Sequence, residues 1–254
     1  LHRRRHSFPT RRSSDLALAD ALAALARGDT PPGLTRGLVL ERPPKLLFIC
    51  PGQGSQWLGM GRTLATTEPT FRAALEACEA AFRPHASFSL LTELAADPAT
   101  SRLADIDVVQ PVLFALQVAL AALWRSWGVV PDAVLGHSMG EVAAAHIAGA
   151  LSLADAARLV AKRGALMQSA HGHGRMAAVT TDLATATAAL HDTKLSDRVA
   201  IAAINDPTAI VLSGDPAALD TVLATLTRHG VRARDLRVDY AFHGPQMAPL
   251  GPAL

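Results

Sequence analysis

Ala133-Val134-Leu135-Gly136-His137-Ser138-Met139-Gly140-Glu141 decides the fold. Three apolar residues with strand character run into a glycine-flanked serine, and a small-residue helix, Glu141 to Ala150, follows. G-x-S-x-G between a strand and a helix predicts a sharp turn that exposes the Ser138 hydroxyl at a sheet edge. Glycines at 136 and 140 let the strand and helix backbones approach closely. The helix N-terminus then faces any negative charge that develops beside the serine. Ser138 is therefore the candidate nucleophile.

Upstream, Leu46-Leu-Phe-Ile-Cys50 reads as a buried strand that stops at Pro51-Gly52-Gln53-Gly54-Ser55-Gln56. A glycine-rich loop after an early strand is where the second oxyanion donor belongs in serine acyl transfer. The backbone N–H groups of Gln53 and Met139 are the expected donors. Helical patterns cover Phe71 to Phe82 and Val112 to Trp127. In the second, Leu113, Leu116, Leu120, Leu123, Trp124 and Trp127 share one face, so both tryptophans are expected in the core.

Downstream, a helix over about 153–170 carries Ala156, Leu159, Val160, Leu166, Met167 and Ala170 on one stripe. Arg163 lies within that stripe, and Arg158 and Lys162 lie outside it. A cation on a buried face calls for an anionic partner, and a guanidinium suits a carboxylate through two parallel hydrogen bonds. From 176 to 238 the pattern becomes strand–helix–strand–strand–helix–strand. The strands are expected at Met176–Val179, Val199–Ile204, Ala209–Ser213 and Arg234–Val238, with helices near 182–191 and 216–229. That order predicts a ferredoxin-like subdomain inserted in a larger α/β core.

Composition bounds the rest. Half of the 254 residues are apolar, enough for a sizeable core. The net charge of +2 is carried by residues 1–16, which hold five arginines against one aspartate; the remainder has 19 basic and 21 acidic residues. A mildly acidic body removes the basis for nucleic-acid binding. Residues 1–16 read as a disordered or non-native tail, because Ser7–Leu16 looks like a translated sequencing adapter. No apolar run is expected to span a membrane: the best, Pro111 to Trp124, is short and contains Gln117. Cys50 and Cys78 imply no disulfide framework, so a cytoplasmic location is expected. His171 and His173, two residues apart in a glycine loop, do not make a zinc site, and no metal is expected.

Taken together, Pro51-Gly-Gln-Gly-Ser-Gln-Trp57, Gln110-Pro111, Gly136-His-Ser-Met-Gly-Glu141, Arg163, Gly174-Arg-Met-Ala-Ala-Val179, Asn205 and Tyr240-Ala-Phe-His243 resemble the malonyl-type acyltransferases. The likeness is strongest to acyltransferase domains of type I modular polyketide synthases and weaker to bacterial malonyl-CoA:carrier-protein transacylases. It covers about residues 46–254. It implies an α/β-hydrolase-like core with a ferredoxin-like insert: large core over 46–173, small subdomain over 174–239, and a return to the core over 240–254. Residues 17–45 resemble a ketosynthase-to-acyltransferase linker. The family pattern continues beyond Leu254.

The resemblance also implies roles. Ser138 is the nucleophile and His243 its general base, in a dyad without a carboxylate. Gln53 supplies an oxyanion N–H, Arg163 grips the substrate's free carboxylate, and His137 lines the site. The substrate is malonyl-CoA, with no permanently bound cofactor. The acceptor is the phosphopantetheine thiol of an acyl carrier protein, and the partners are the ketosynthase and other domains of one megasynthase. Tyr240 and Phe242 bear on the choice of extender unit. Phe242 and Met139 favour malonyl, whereas Tyr240 fits the methylmalonyl pattern. Two alternatives stand beside this reading: an inactive fragment, and a serine esterase. The esterase would need an acidic third member from Asp206, Asp215, Asp220, Asp235 or Asp239.

Overall fold

The computed structural model describes residues 11–32 and 44–254. The chain divides into two units, Leu1–Lys45 and Leu46–Leu254. In the first, helix α1 spans Arg11–Ala26. It begins inside the segment read as a tail, so residues 11–16 are helical. Residues 1–10 of that tail and 33–43 of the expected linker lie outside the described residues.

In the second unit, β1 (Leu47–Cys50) pairs in parallel with β2 (Ala133–Gly136), with Cys50 opposite Gly136. Between them come α2 (Arg62–Thr67), α3 (Pro69–Phe82), α4 (Leu90–Ala95) and α5 (Ile106–Ser126). After β2 follow α6 (Gly140–Ile147) and α7 (Leu153–Gln168). Their apolar faces merge in one core, in which Phe71, Phe82, Phe114, Val112 and Ala143 are fully enclosed. Ser152 starts α7 by accepting from the Asp155 backbone N–H at 3.1 Å.

Helix α5 is the centre of this core and departs from expectation in two ways. It starts at Ile106, six residues earlier than the reading from Val112, and carries Pro111 in its second turn. A proline there forfeits only one backbone hydrogen bond, and burial of the surrounding apolar side chains outweighs that loss. The resulting 21-residue helix is long and apolar enough to cross a membrane, contrary to the expectation that no run is. It is mostly buried inside the protein, which accounts for its composition. The second correction concerns its last turn. Trp124 and Trp127 are 46% and 55% exposed, not core residues, and meet edge to face at 5.3 Å. Trp124 lines an open groove beside Leu47, Phe48 and Ile49 of β1.

The remaining strands form one antiparallel sheet: β3 (Arg175–Val179), β4 (Val199–Asp206), β5 (Ala209–Gly214) and β6 (Ala233–Asp235), in the order β4-β5-β3-β6. Helices α8 (Leu183–Thr193) and α9 (Pro216–Arg228) pack with it around Leu190, Leu212, Leu219 and Leu226. Asp182 and Asp215 cap these helices through their side chains. Strand β6 lies earlier than the expected Arg234–Val238. Asp235 accepts from the Arg237 N–H at 2.7 Å, and Arg237 adopts φ 55°, which turns the chain out of the sheet. A 3₁₀ segment, Pro245–Ala253, ends the chain.

Candidate active site

The turn between β2 and α6 has the expected build. Ser138 stands at φ 53°, in the left-handed region that a non-glycine residue occupies only under constraint. A Cβ on Gly136 would meet the Glu141 backbone at 2.2 Å, and one on Gly140 would meet the Cys50 carbonyl at 2.1 Å. Both positions therefore need glycine, because strand and helix pass at backbone contact.

Residues distant in sequence converge on the serine. Ser138 Oγ lies 2.9 Å from His243 Nε2. Arg163, on α7, donates through Nη2 to the same oxygen at 3.1 Å and through Nη1 to Gln110 Oε1 at 2.5 Å. With the imidazole proton on Nδ1, the serine O–H donates to Nε2 while its oxygen accepts from the guanidinium. Proton removal and stabilisation of the alkoxide are thus arranged on one atom.

Electrostatics suit a base. Partial burial pushes the His243 pKa below its ordinary value, and the charges of Arg163 and His137 push it further. Glu141 opposes them. The imidazole is therefore neutral at neutral pH and free to accept a proton. Burial also lowers the pKa of the Arg163 guanidinium; the group stays cationic, since its ordinary value is so high.

The backbone N–H groups of Gln53 and Met139, expected as oxyanion donors, donate to no other group among the described residues. The Met139 side chain is 1% exposed and part of the main core, so only its backbone is available to the site. His137 is exposed beside Ser138. Phe242 is 7% exposed, packs with Ile106 and Met167, and stacks on Tyr240 with ring centres 3.9 Å apart. Beside the dyad is a cavity of about 260 Å³ lined by Arg163, Leu166, Met167, His243 and Met247, among others.

Two site residues had no role assigned from the sequence. Gln110 is 1% exposed and bridges Arg163 to Gln53, donating to Gln53 Oε1 at 3.4 Å; Gln53 in turn donates to the Tyr240 hydroxyl at 3.2 Å. Gln117, two turns further along α5, donates to the Pro51 carbonyl at 2.7 Å and so ties down the loop that carries Gln53. The available signal is polarity in the wrong place: two glutamines seven residues apart in the apolar middle of a helix whose other polar residues lie in its end turns.

The five aspartates that an esterase triad could draw on are engaged elsewhere. Asp206 bonds Thr208, Asp215 caps α9, Asp220 and Asp235 pair with Arg175, and Asp239 pairs with His171 at 3.1 Å. Among the described residues none of them pairs with His243.

Comparison with known proteins shows the family. Residues 47–254 match the family model for the acyl transferase domain, and the chain belongs to that family. It is 47% identical over 234 residues to the spectinabilin polyketide synthase system protein NorA' of Streptomyces orinoci, covering 92% of this chain and 6% of that protein. Among solved structures it is similar to the acyltransferase domain from the second module of the salinomycin polyketide synthase: TM-score 0.85, 42% identity, 97% of this chain and 56% of that one. It also resembles the malonyl CoA-acyl carrier protein transacylase of Clostridium perfringens: TM-score 0.76, 27% identity, 83% of this chain and 66% of that one. The chain thus spans a small part of the curated relative and somewhat over half of the salinomycin domain structure.

Proposed function

We propose that this domain moves a malonyl group from coenzyme A to the phosphopantetheine thiol of an acyl carrier protein, in polyketide biosynthesis in the cytoplasm. The observation that carries the reading is the shared oxygen: Ser138 Oγ within 2.9 Å of the His243 base and 3.1 Å of the Arg163 guanidinium. His243 takes the hydroxyl proton as Ser138 attacks the thioester carbonyl. The C–O bond forms, the Gln53 and Met139 N–H groups receive the oxyanion, the C–S bond breaks, and His243 returns the proton to the departing thiolate. The carrier thiol then reverses the sequence. Arg163 holds the free carboxylate of the acyl group, and the cavity beside it takes the chain.

Malonyl is the preferred extender, methylmalonyl the alternative. Phe242 supports malonyl through its packing on Met167, which lines the cavity. For the architecture, the βαββαβ order and β4-β5-β3-β6 arrangement support a ferredoxin-like subdomain. The parallel β1–β2 pair ending in the serine turn supports an α/β-hydrolase-like core. Ketosynthase and carrier domains of the same megasynthase are the proposed partners; the names of the relatives speak of polyketide synthases and, for the Clostridium perfringens enzyme, of an acyl carrier protein.

The test is intact-protein mass spectrometry after incubation with malonyl-CoA. A malonyl adduct is expected on the parent and absent from Ser138→Ala. Arg163→Ala is expected to lower malonyl loading about 100-fold relative to acetyl loading, since two charge-assisted bonds are lost. An adduct that persists in Ser138→Ala overturns the assignment of the nucleophile, and an unchanged ratio overturns that of the carboxylate clamp.

A further inference from the structure

Gln110 reaches the site from α5 with an amide where a cation on a buried face would ordinarily find a carboxylate. Its side chain is 1% exposed, and its contacts determine which way the amide points. The nitrogen faces Gln53 Oε1 at 3.4 Å and Met167 Sδ at 3.6 Å, so the oxygen is turned to Arg163 Nη1 at 2.5 Å. The second guanidinium bond goes to another neutral acceptor, Ser138 Oγ. Among the described residues Arg163 makes no ion pair. The acidic group that acts on it is Glu141, which forms no hydrogen bond to it.

We infer that Gln110 is a positioning residue whose neutrality is essential: it orients the Arg163 guanidinium without neutralising it, which leaves the positive charge for the carboxylate of the incoming acyl group. A carboxylate at this position would have nearly the same shape and would form a bidentate internal pair with Arg163. In a site withdrawn from water such a pair competes directly with substrate, because the guanidinium cannot be fully matched to two carboxylates at once. An apolar residue of similar length would leave the charge free but unaimed. The network also links acyl recognition to the oxyanion loop: the Gln53 oxygen receives the Gln110 N–H, and the Gln53 N–H₂ is spent on the Tyr240 hydroxyl. The inference rests on the acyl-transfer reading of the same site.

The experiment compares the parent domain, carried in its natural polypeptide, with Gln110→Glu and Gln110→Met. Each is offered malonyl-CoA and acetyl-CoA in separate incubations, and the Ser138 adduct is quantified. The readout is the malonyl-to-acetyl ratio, which a merely misfolded fraction does not move because it lowers both adducts alike. Gln110→Glu is expected to reduce the ratio about 100-fold and Gln110→Met about 10-fold, whatever each variant does to the absolute level of acetyl loading. A ratio unchanged from the parent in Gln110→Glu overturns the inference. If that variant does not fold, as read by its thermal transition, Gln110→Met decides: a reduced ratio supports the inference and an unchanged one overturns it. A parent that acquires neither adduct contradicts the acyl-transfer reading instead, so the two failures are distinguishable.

Discussion

Ser138 and His243 stand on backbone of nearly the same kind, φ 53° and 59°, but they reach it by opposite routes. The serine turn is made locally. Strand β2 ends, helix α6 begins, and Gly136 and Gly140 allow backbone contact within five residues. The histidine turn is made at a distance. It follows the small sheet, its ring is at the exposed side of the site, and its anchors come from elsewhere in the chain. Phe242 is held by Ile106 and Met167, and Gln246 donates to the Arg198 carbonyl at 2.9 Å. A nucleophile can thus be set by its neighbours in sequence. Its base depends on the packing of two substructures.

The sharpest way to break that comparison is to remove the base while leaving the elbow intact. His243→Ala should lower the rate of Ser138 acylation about 1,000-fold, within the range of general-base contributions, with little change in thermal stability because the ring is exposed. Stopped-time mass spectrometry of the malonyl adduct measures it. A loss below tenfold would mean that Arg163 alone activates the serine.

The same contrast explains what could be read beforehand. The elbow, the positions of strands β1 and β3–β5, and the Arg163 stripe follow from short apolar runs, helical spacing and glycine spacing, all local properties; β1 is nevertheless not the buried strand expected, since Leu47 and Ile49 are 47% and 64% exposed. Arg158 and Lys162 are exposed and Arg163 is partly buried, as the stripe requires. What escaped depends on neighbours that a single sequence does not display. Pro111 looks like a helix start until burial on all sides keeps α5 continuous across it. Trp124 and Trp127 keep helical phase yet stay exposed, Trp124 in an open groove beside β1. Met139 is apolar next to the nucleophile, yet its side chain turns into the core. The Tyr240–Gln53–Gln110–Arg163 network joins four segments that no spacing rule connects.

A smaller effect tests whether the histidine side also sets specificity. Phe242→Ser should raise methylmalonyl loading relative to malonyl about 10-fold, the scale of discrimination by one methyl group. It should also cost about 3 kcal/mol of stability, since a buried aromatic ring is lost. Equal-concentration competition between the two thioesters gives the ratio, and a urea melt gives the stability. A stability loss with an unchanged ratio would make Phe242 an anchor of the His243 turn and nothing more.

The smallest expected effect is a displacement of the pH profile, and its sign follows from the charges around His243. The imidazole must be neutral to take the Ser138 proton, so acylation fails as pH falls through its pKa. Partial burial, then Arg163, then His137 hold that pKa below 6.5, while Glu141 pulls it up. Replacing Arg163 by glutamine removes one depressing charge and leaves burial and His137 in place. The pKa should therefore rise, and the acid limb of kcat/KM should move to higher pH without reaching the position of a free imidazole unless Glu141 prevails. Acetyl-CoA is the substrate to use, because its binding does not need the guanidinium and the limb then reports the base alone. At the serine turn the same substitution removes only a hydrogen bond to Oγ, which lowers the plateau and does not shift the limb. A profile that falls in height but keeps its acid limb would confine Arg163 to the nucleophile's side of the site. A limb moved upward would show that the two turns are coupled through its charge.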